Sequence, residues 1–143
     1  MITYKFEVKG LPPKKDGAQS MWGKPLEAKR LVALRQAALQ TLKGQPPLET
    51  NIKLTLKIHI PINNRSIGDL DTFVTGVCDG LMENPYGGKL DSIWDNRDNK
   101  ELVGIHPSKT IAIVDDSQVV SIQAEKVVGG TEQPWYEVVL EGE

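Results

Sequence analysis

The sequence predicts an α+β fold in which two main helices pack on one face of a mixed β-sheet. Several short segments alternate apolar and polar residues with the period of two that is typical of a half-buried strand. Two longer segments carry apolar residues at the three- and four-residue spacing of an amphipathic helix. Their order, strand, helix, strand, helix and then three strands, favours helices gathered on one side of the sheet. At 143 residues the chain fits a single domain, which we expect to span residues 1–143.

The first segments predict a strand, a loop and a helix. Residues 2–9 alternate as a strand does, and residues 10–23 are rich in glycine and proline, which favours a loop. Residues 25–43 are predicted to be a helix, because Pro25 suits a first helical turn and leucine and alanine recur along one face. Gly44 is typical of the position just after a helix ends.

The next two segments predict a strand and a second helix. Residues 50–60 show the clearest alternation in the chain, with isoleucine or leucine at every second position from Ile52. Pro61 is expected to end this strand, since proline cannot donate to a sheet ladder. Residues 69–83 predict a helix because apolar side chains recur at helical spacing from Leu70 onwards.

The segment at about 83–110 is predicted to be a long inserted loop. It is rich in Asn, Asp, Gly and Lys, and a connection of this length is uncommon in a compact domain without local structure of its own. We therefore expect Ile93 and Trp94 to anchor it. Three further strands are predicted after it, at residues 111–114, 118–128 and 135–141.

Composition indicates an ordinary globular protein of a reducing compartment. The apolar fraction of 39% and the charged fraction of 25% are both typical of soluble domains. No apolar run approaches the ~18 residues of a membrane span, and residues 1–10 lack the apolar block of a signal peptide. The single cysteine, Cys78, excludes an intrachain disulfide. We expect a cytoplasmic protein with no membrane partner.

The charge distribution is uneven along the chain. Residues 1–65 hold 12 Lys and Arg against 4 Asp and Glu, whereas residues 66–143 hold 5 against 15. One interpretation is a basic surface for phosphates beside an acidic metal centre. The other is that the two halves interleave in the fold and neutralise each other.

Five aspartates stand at positions where carboxylates could serve chemistry, and each also has a structural interpretation. Asp69 and Asp71 begin the second predicted helix, where aspartate favours capping and the positive end of the helix dipole. Asp115 and Asp116 follow a predicted strand, where aspartate is common in turns. Asp79 can lie on a solvated helix face. Carboxylates that converge raise each other's pKa unless a cation lies between them, and Mg²⁺ favours such oxygen ligands.

The spacing of these motifs resembles the RusA-type Holliday junction resolvase family. The matching residues are Gly-Asp-Leu-Asp at 68–71, Asp-Gly-Leu at 79–81, Asp-Asp-Ser-Gln-Val-Val at 115–120 and Lys126. The resemblance is good over residues 50–82 and 111–128. It is weaker over residues 1–48, where a strand, a Pro-Pro-Lys loop and a helix still follow the family order.

The resemblance implies a RusA-like fold and a homodimeric, Mg²⁺-dependent endonuclease, with Mn²⁺ as the other candidate ion. Such enzymes bind four-way DNA junctions and place two symmetric nicks, and a two-fold dimer suits a two-fold junction. Carried over by position, the catalytic metal ligands would be Asp69, Asp71 and Asp116. The supporting residues would be Asp79, Asp115, Thr75 and Lys126.

Thr75 departs from the family pattern, which has a catalytic lysine at this position. A hydroxyl cannot replace an ammonium group in stabilising developing phosphate charge. The alternative function is therefore a junction-binding member without catalysis. A third hypothesis is a metal enzyme on another substrate, since Asp-x-Asp also occurs in glycosyl and phosphoryl transfer. That chemistry usually accompanies a Gly-rich loop and parallel βαβ units, and the sequence shows neither pattern.

Basic and aromatic residues outside the carboxylate motifs are candidates for DNA contacts. The phosphate-binding candidates are Lys14, Lys15, Lys24 and Arg65. A solvated basic edge is the alternative for them. The stacking candidates for unpaired bases are Trp22, Trp94 and Trp135, and their alternative role is to anchor the core or a loop.

Overall fold

The computed structural model describes residues 1–15, 20–64, 67–84, 88–95 and 100–143. Its strands and helices are β1 (Ile2–Lys9), α1 (Pro25–Leu42), β2 (Ile52–Ile60), α2 (Leu70–Gly80), α3 (Lys100–Val103), β3 (Val119–Val128) and β4 (Trp135–Gly142). The predicted α+β class is confirmed, with a four-stranded mixed sheet and two main helices. In the part of the chain that the structure describes, no helix is both long and apolar enough to cross a membrane.

The sheet has the strand order β1-β4-β2-β3. β4 pairs antiparallel with both β1 and β2, whereas β2 and β3 run parallel. The parallel pair needs a crossover connection, and α2 with the segment after it supplies that connection. β3 therefore lies at one edge of the sheet.

The core lies between the sheet and the two main helices. Every second residue of β2, from Ile52 to Ile60, is fully buried, while the residues between them are exposed or half-buried. Leu34 and Ala38 of α1 and Phe73 of α2 belong to the same buried cluster. The alternation in the sequence therefore predicted the buried face of the central strand correctly.

A glycine lets the loop before α1 lie directly on α2. A Cβ atom at Gly76 would stand only 1.9 Å from the carbonyl oxygen of Pro13. The backbone N–H of Lys15 donates to the carbonyl of Thr72 in the same region. No larger side chain fits at Gly76. The close approach that this glycine allows brings Lys14 and Lys15 next to α2.

The prediction of a strand at residues 111–114 was wrong. Ile111, Ala112 and Ile113 are buried, but their backbone N–H groups all point at the carbonyl of Leu81, at 3.2, 3.0 and 3.3 Å. Ile113 forms only an isolated bridge with Leu48. The apolar run is buried because it packs below the end of α2, and burial alone does not distinguish that packing from a strand.

The predicted loop at 83–110 is tied to the core at both ends by Arg35 of α1. This side chain is fully buried and lies 5.0 Å above the ring of Trp22. Its guanidinium group donates to five carbonyl oxygens at 2.5 to 2.9 Å, those of Gly80, Met82, Ile105, His106 and Lys109. Burial lowers the pKa of Arg35 to about 9, so the group is still charged at neutral pH.

Trp94 anchors the middle of the same segment, as predicted. It is 3% exposed, its indole N–H donates to the carbonyl of Trp22, and the two ring centroids are 5.7 Å apart. Ile93 packs against the same cluster. Because Trp22 and Trp94 are buried, neither is placed to stack on a base, and their alternative role as anchors is confirmed.

Candidate functional site

Helix α2 presents a polar stripe to solvent along its length. Asp71 and Thr75 are exposed and Asp79 is partly exposed, and these three residues are spaced four apart. Phe73 and Val77, on the other side of the helix, are fully buried. The apolar face therefore fixes which way the acidic residues point.

Two carboxylates lie at the N-terminal end of α2. Asp69 occupies the N-cap position with an extended backbone, yet its side chain makes no capping hydrogen bond. Asp71 lies in the first turn, and both residues are exposed. The capping interpretation of the Asp69 side chain was thus wrong, and both carboxylates are directed to solvent beside the positive end of the helix dipole.

Lys126 of β3 holds the chain that enters α2. Its ammonium group donates to the carbonyl of Gly68, the residue before Asp69. The contact places the last part of β3 against the first turn of α2. A positive charge therefore lies next to the N-terminal carboxylates.

A second pair of carboxylates, Asp79 and Asp116, lies at the C-terminal end of α2. A hydrogen bond with Asp115, lost hydration and the negative charges of Asp115 and Asp79 raise the pKa of Asp116 above its ordinary value. Burial, followed by the charges of Asp79 and Asp116, raises the pKa of the Cys78 thiol to about 11. Both carboxylates thus raise the pKa of Cys78, and the thiol remains protonated at neutral pH.

Asp115 has a structural role that orients its neighbour. Its side chain accepts from the backbone N–H of Ser117 at 3.1 Å, and Gln118 accepts from the Asp115 N–H at 2.8 Å. This capping box begins a short 3-10 turn at Asp116. The backbone N–H of Ser117 and a hydrogen bond with Asp116 lower the pKa of Asp115. The turn interpretation of Asp115 is confirmed, and the turn leaves Asp116 exposed at the start of β3.

The structure separates the three expected ligands: Asp69 and Asp71 lie at the start of α2, whereas Asp116 lies with the supporting residue Asp79 at the other end. Eight residues separate Asp71 from Asp79, which is about 12 Å along a helix axis. Ligand oxygens of one Mg²⁺ ion lie about 2.1 Å from it, so these two side chains cannot share an ion. Among the described residues, no three His, Cys, Asp or Glu side chains form a group that could hold a metal. Asp116 lies with Asp79 and not with Asp69 and Asp71.

Two of the lysines predicted to bind phosphate lie close to these carboxylates, Lys15 beside Asp79 and Lys14 with its side chain beside Gly68. The backbone N–H of Lys14 donates to Glu27, and the ammonium group of Lys15 contacts Asp79 at 2.7 Å. Lys24 precedes α1 at its N-cap position. Arg65 lies outside the described residues. Sequence reasoning missed the contact of Lys15 with Asp79, since 64 residues separate the partners and no local pattern marks it.

Thr75 uses its hydroxyl within the helix. Its Oγ1 donates to the carbonyl of Asp71 at 3.0 Å. The position of Thr75 therefore provides no ammonium group on the α2 surface. Lys15, from the loop before α1, provides one there through its contact with Asp79.

Comparisons with protein-family models and with curated proteins identified no relative of this chain. No protein-family model matches the chain, and no curated protein matches its sequence.

Proposed function

We propose that this protein is a Mg²⁺-dependent endonuclease that acts as a homodimer and resolves four-way DNA junctions by paired symmetric nicks. The observation that carries the proposal is the exposed stripe of α2, with carboxylate pairs at both ends and lysines beside it. The Asp69 side chain makes no capping hydrogen bond that would give it a structural role. The pKa of Asp116 is raised, in part by its acidic neighbours Asp115 and Asp79. A bound cation would relieve that repulsion.

The donor set fits a hard divalent ion. All four side chains of the two pairs offer oxygen, at positions that leave room for water and phosphate, as Mg²⁺ and Mn²⁺ require. When bound, such an ion neutralises charge on the scissile phosphate and activates water for attack. Lys14 and Lys15 place positive charge beside the carboxylates, where it attracts the DNA backbone. Lys126 fixes the carbonyl of Gly68 and so positions Asp69.

A second copy of the chain supplies what one copy lacks. A two-fold axis perpendicular to two neighbouring α2 helices sets them antiparallel, because that rotation reverses the direction of one relative to the other. Asp69 and Asp71 of one subunit then face Asp79 and Asp116 of the partner subunit. The expected ligands Asp69, Asp71 and Asp116 therefore meet across the dimer, once at each of two equivalent sites.

The exposed edge of β3 is the surface proposed for this contact. β3 is ten residues long and pairs on one side only among the described strands. Val120 and Ile122 are 59% and 52% exposed there, and Val114 close by is 52% exposed. A long apolar edge is a template for pairing with another strand. Pairing of two β3 strands antiparallel extends the sheet and places both α2 helices on the same side.

Ile122→Lys is expected to convert the dimer to a monomer and abolish Mg²⁺-dependent cleavage, because two lysines would be forced together at the β3 edge. Sedimentation equilibrium measures the mass, and circular dichroism should show an unchanged secondary structure, since Ile122 is 52% exposed in one chain. The thermal midpoint should fall only by the contribution of the lost partner subunit. Ile62→Lys is the matched control, since Ile62 is 71% exposed and lies in the turn after β2. A dimeric Ile122→Lys protein with full activity would show that β3 is not the interface.

The second candidate function is junction binding without catalysis, and the Thr75 geometry favours it. The hydroxyl is bonded to the helix backbone, so this position offers no positive charge to a leaving group. Cleavage of a synthetic four-way junction separates the two functions. Nicks that appear only in a Thr75→Lys variant would establish the second function, whereas nicks by the native chain would exclude it.

A further inference from the structure

A groove runs across the end of the sheet where β1 stops and β4 begins. A cavity of about 800 Å³ is lined there by Lys9, Gln133, Pro134 and Trp135, among others. A second cavity of about 300 Å³ shares Lys9 and Pro134 and continues to Lys29 and Arg30 on α1. We call these two connected cavities the terminal groove.

Trp135 gives the terminal groove a fixed aromatic wall. Its ring stacks on His59, with centroids 3.9 Å apart and planes 5° apart. His59 is itself held by Glu137, with Nε2 2.9 Å from the carboxylate. Trp135 is half-buried, unlike Trp22 and Trp94, which are buried. The indole is thus held in place before any ligand arrives, which lowers the entropy cost of stacking.

Positive charge exceeds negative charge along the groove. Lys9 and Lys29 are exposed, and Arg30 is half-buried. Among the residues that line the two cavities, Glu7 carries the one carboxylate. Two nearby carboxylates already have partners, Glu27 with Arg30 at 3.2 Å and Glu137 with His59 at 2.9 Å. Lys9 lines both cavities and Lys29 lines the second, so the ligand of the groove is expected to be anionic.

The groove lies at the same end of the sheet as the start of α2. The strand registers place Lys9, Trp135, His59 and Val127 in one row across the four strands. Three strand spacings make that row about 14 Å long. Lys126, the neighbour of Val127, contacts the residue before Asp69. The side chains of Trp135 and His59 lie on the face of the sheet away from the helices, since Tyr136 and Ile58, which alternate with them, are fully buried in the core. The groove thus shares the end of the sheet, but not its face, with the start of α2.

We propose that the terminal groove binds a nucleic-acid strand with unpaired bases, with a base stacked on Trp135 and phosphates held by Lys9 and Lys29. An aromatic ring flanked by exposed cations is the arrangement that recognises single strands without sequence preference. The proposal rests on the proposed function for its biological ligand, the unpaired branch point of a junction.

Tryptophan fluorescence tests the groove without metal or cleavage. Titration with oligothymidylate in EDTA should quench the emission of Trp135, and Trp135→Phe should remove the quenching while Trp22 and Trp94 remain. With a labelled oligonucleotide, Trp135→Ala should weaken binding by about 5- to 150-fold. Lys9→Gln with Lys29→Gln should lower the slope of log K against log salt by about 1.4. Lys53→Gln, at the opposite end of the sheet, is the control.

Three outcomes would overturn the proposal: no quenching at low salt, a salt slope unchanged in the Lys9 and Lys29 double variant, or equal binding of polyglutamate. The last would identify a general anion surface. Comparison with nuclease activity keeps the two proposals distinct. If the native chain shows quenching but does not cleave the junction, strand binding in the terminal groove is supported and the nuclease function is contradicted. If it cleaves the junction without quenching, only strand binding in the groove is overturned.

Discussion

Asp71→Asn is expected to lower Mg²⁺-dependent junction cleavage by at least about 100-fold and to leave junction binding unchanged or tighter. The amide keeps the size of the side chain but loses the charge that holds the ion, and even outer-shell changes at metal sites cost about 10- to 100-fold. Binding does not suffer, because the substitution removes a negative charge that faces phosphate. Asp71 is exposed, so the fold should tolerate the change.

Cleavage rates and gel-shift affinities of the same preparation separate the two effects. Asp95→Asn is the matched control, since Asp95 is also exposed but lies in the turn at Ser92–Asp95. If Asp71→Asn cleaves at the native rate, Asp71 is not a ligand and the proposed metal site is wrong. Loss of binding together with cleavage would assign Asp71 to the fold or the DNA surface instead.

Arg35→Met is expected to lower the free energy of unfolding by about 3–5 kcal/mol, at the upper end of what single substitutions cost. The reason is that five carbonyl oxygens lose their donor at once, and buried acceptors without a partner cost free energy. Methionine fills much of the volume, so the loss is mainly one of hydrogen bonds. The segment at 83–110 should become sensitive to proteases at lower denaturant than the rest.

Urea unfolding measures the difference, with Gln40→Met on the exposed face of α1 as the control. Arg35→Lys should recover only part of the stability, because an ammonium group has three donors and lacks the planar fork. A change below about 1 kcal/mol in Arg35→Met would show that the carbonyls find other donors, within the spread of ordinary substitutions.

Local patterns predicted most of the fold and could not predict how its distant parts meet. The alternation from Ile52 to Ile60 predicted the central strand, and the helical spacing from Leu70 predicted α2, although α2 ends at Gly80, earlier than residue 83. The apolar run at 111–114 was wrongly predicted to be a strand. A short apolar segment buried under a helix end has the same sequence pattern as one buried in a sheet. The role of Arg35 carried no signal, since its partners lie 45 to 74 residues away.

The candidate site was likewise predicted in part from local patterns. Asp69, Asp71, Asp79 and Asp116 were identified from motif spacing, and all four are partly or fully exposed in the structure. The separation of Asp71 from Asp79 could have been predicted from helix geometry, since eight residues cover slightly more than two turns. The position of Asp116 next to Asp79 depends on the packing of β3 and could not. The contact of Lys15 with Asp79 and the row from Lys9 to Val127 could not, because they depend on the packing of distant segments.

Cleavage of a labelled synthetic four-way junction, beside a linear duplex of the same sequence, tests the central claim most directly. The reaction is run in Mg²⁺, in Mn²⁺ and in EDTA, and products are mapped on both strand pairs. Paired symmetric nicks in the junction alone, dependent on the metal, are the predicted result. A junction that is bound yet stays intact at every Mg²⁺ and Mn²⁺ concentration would contradict the claim and leave junction recognition as the function.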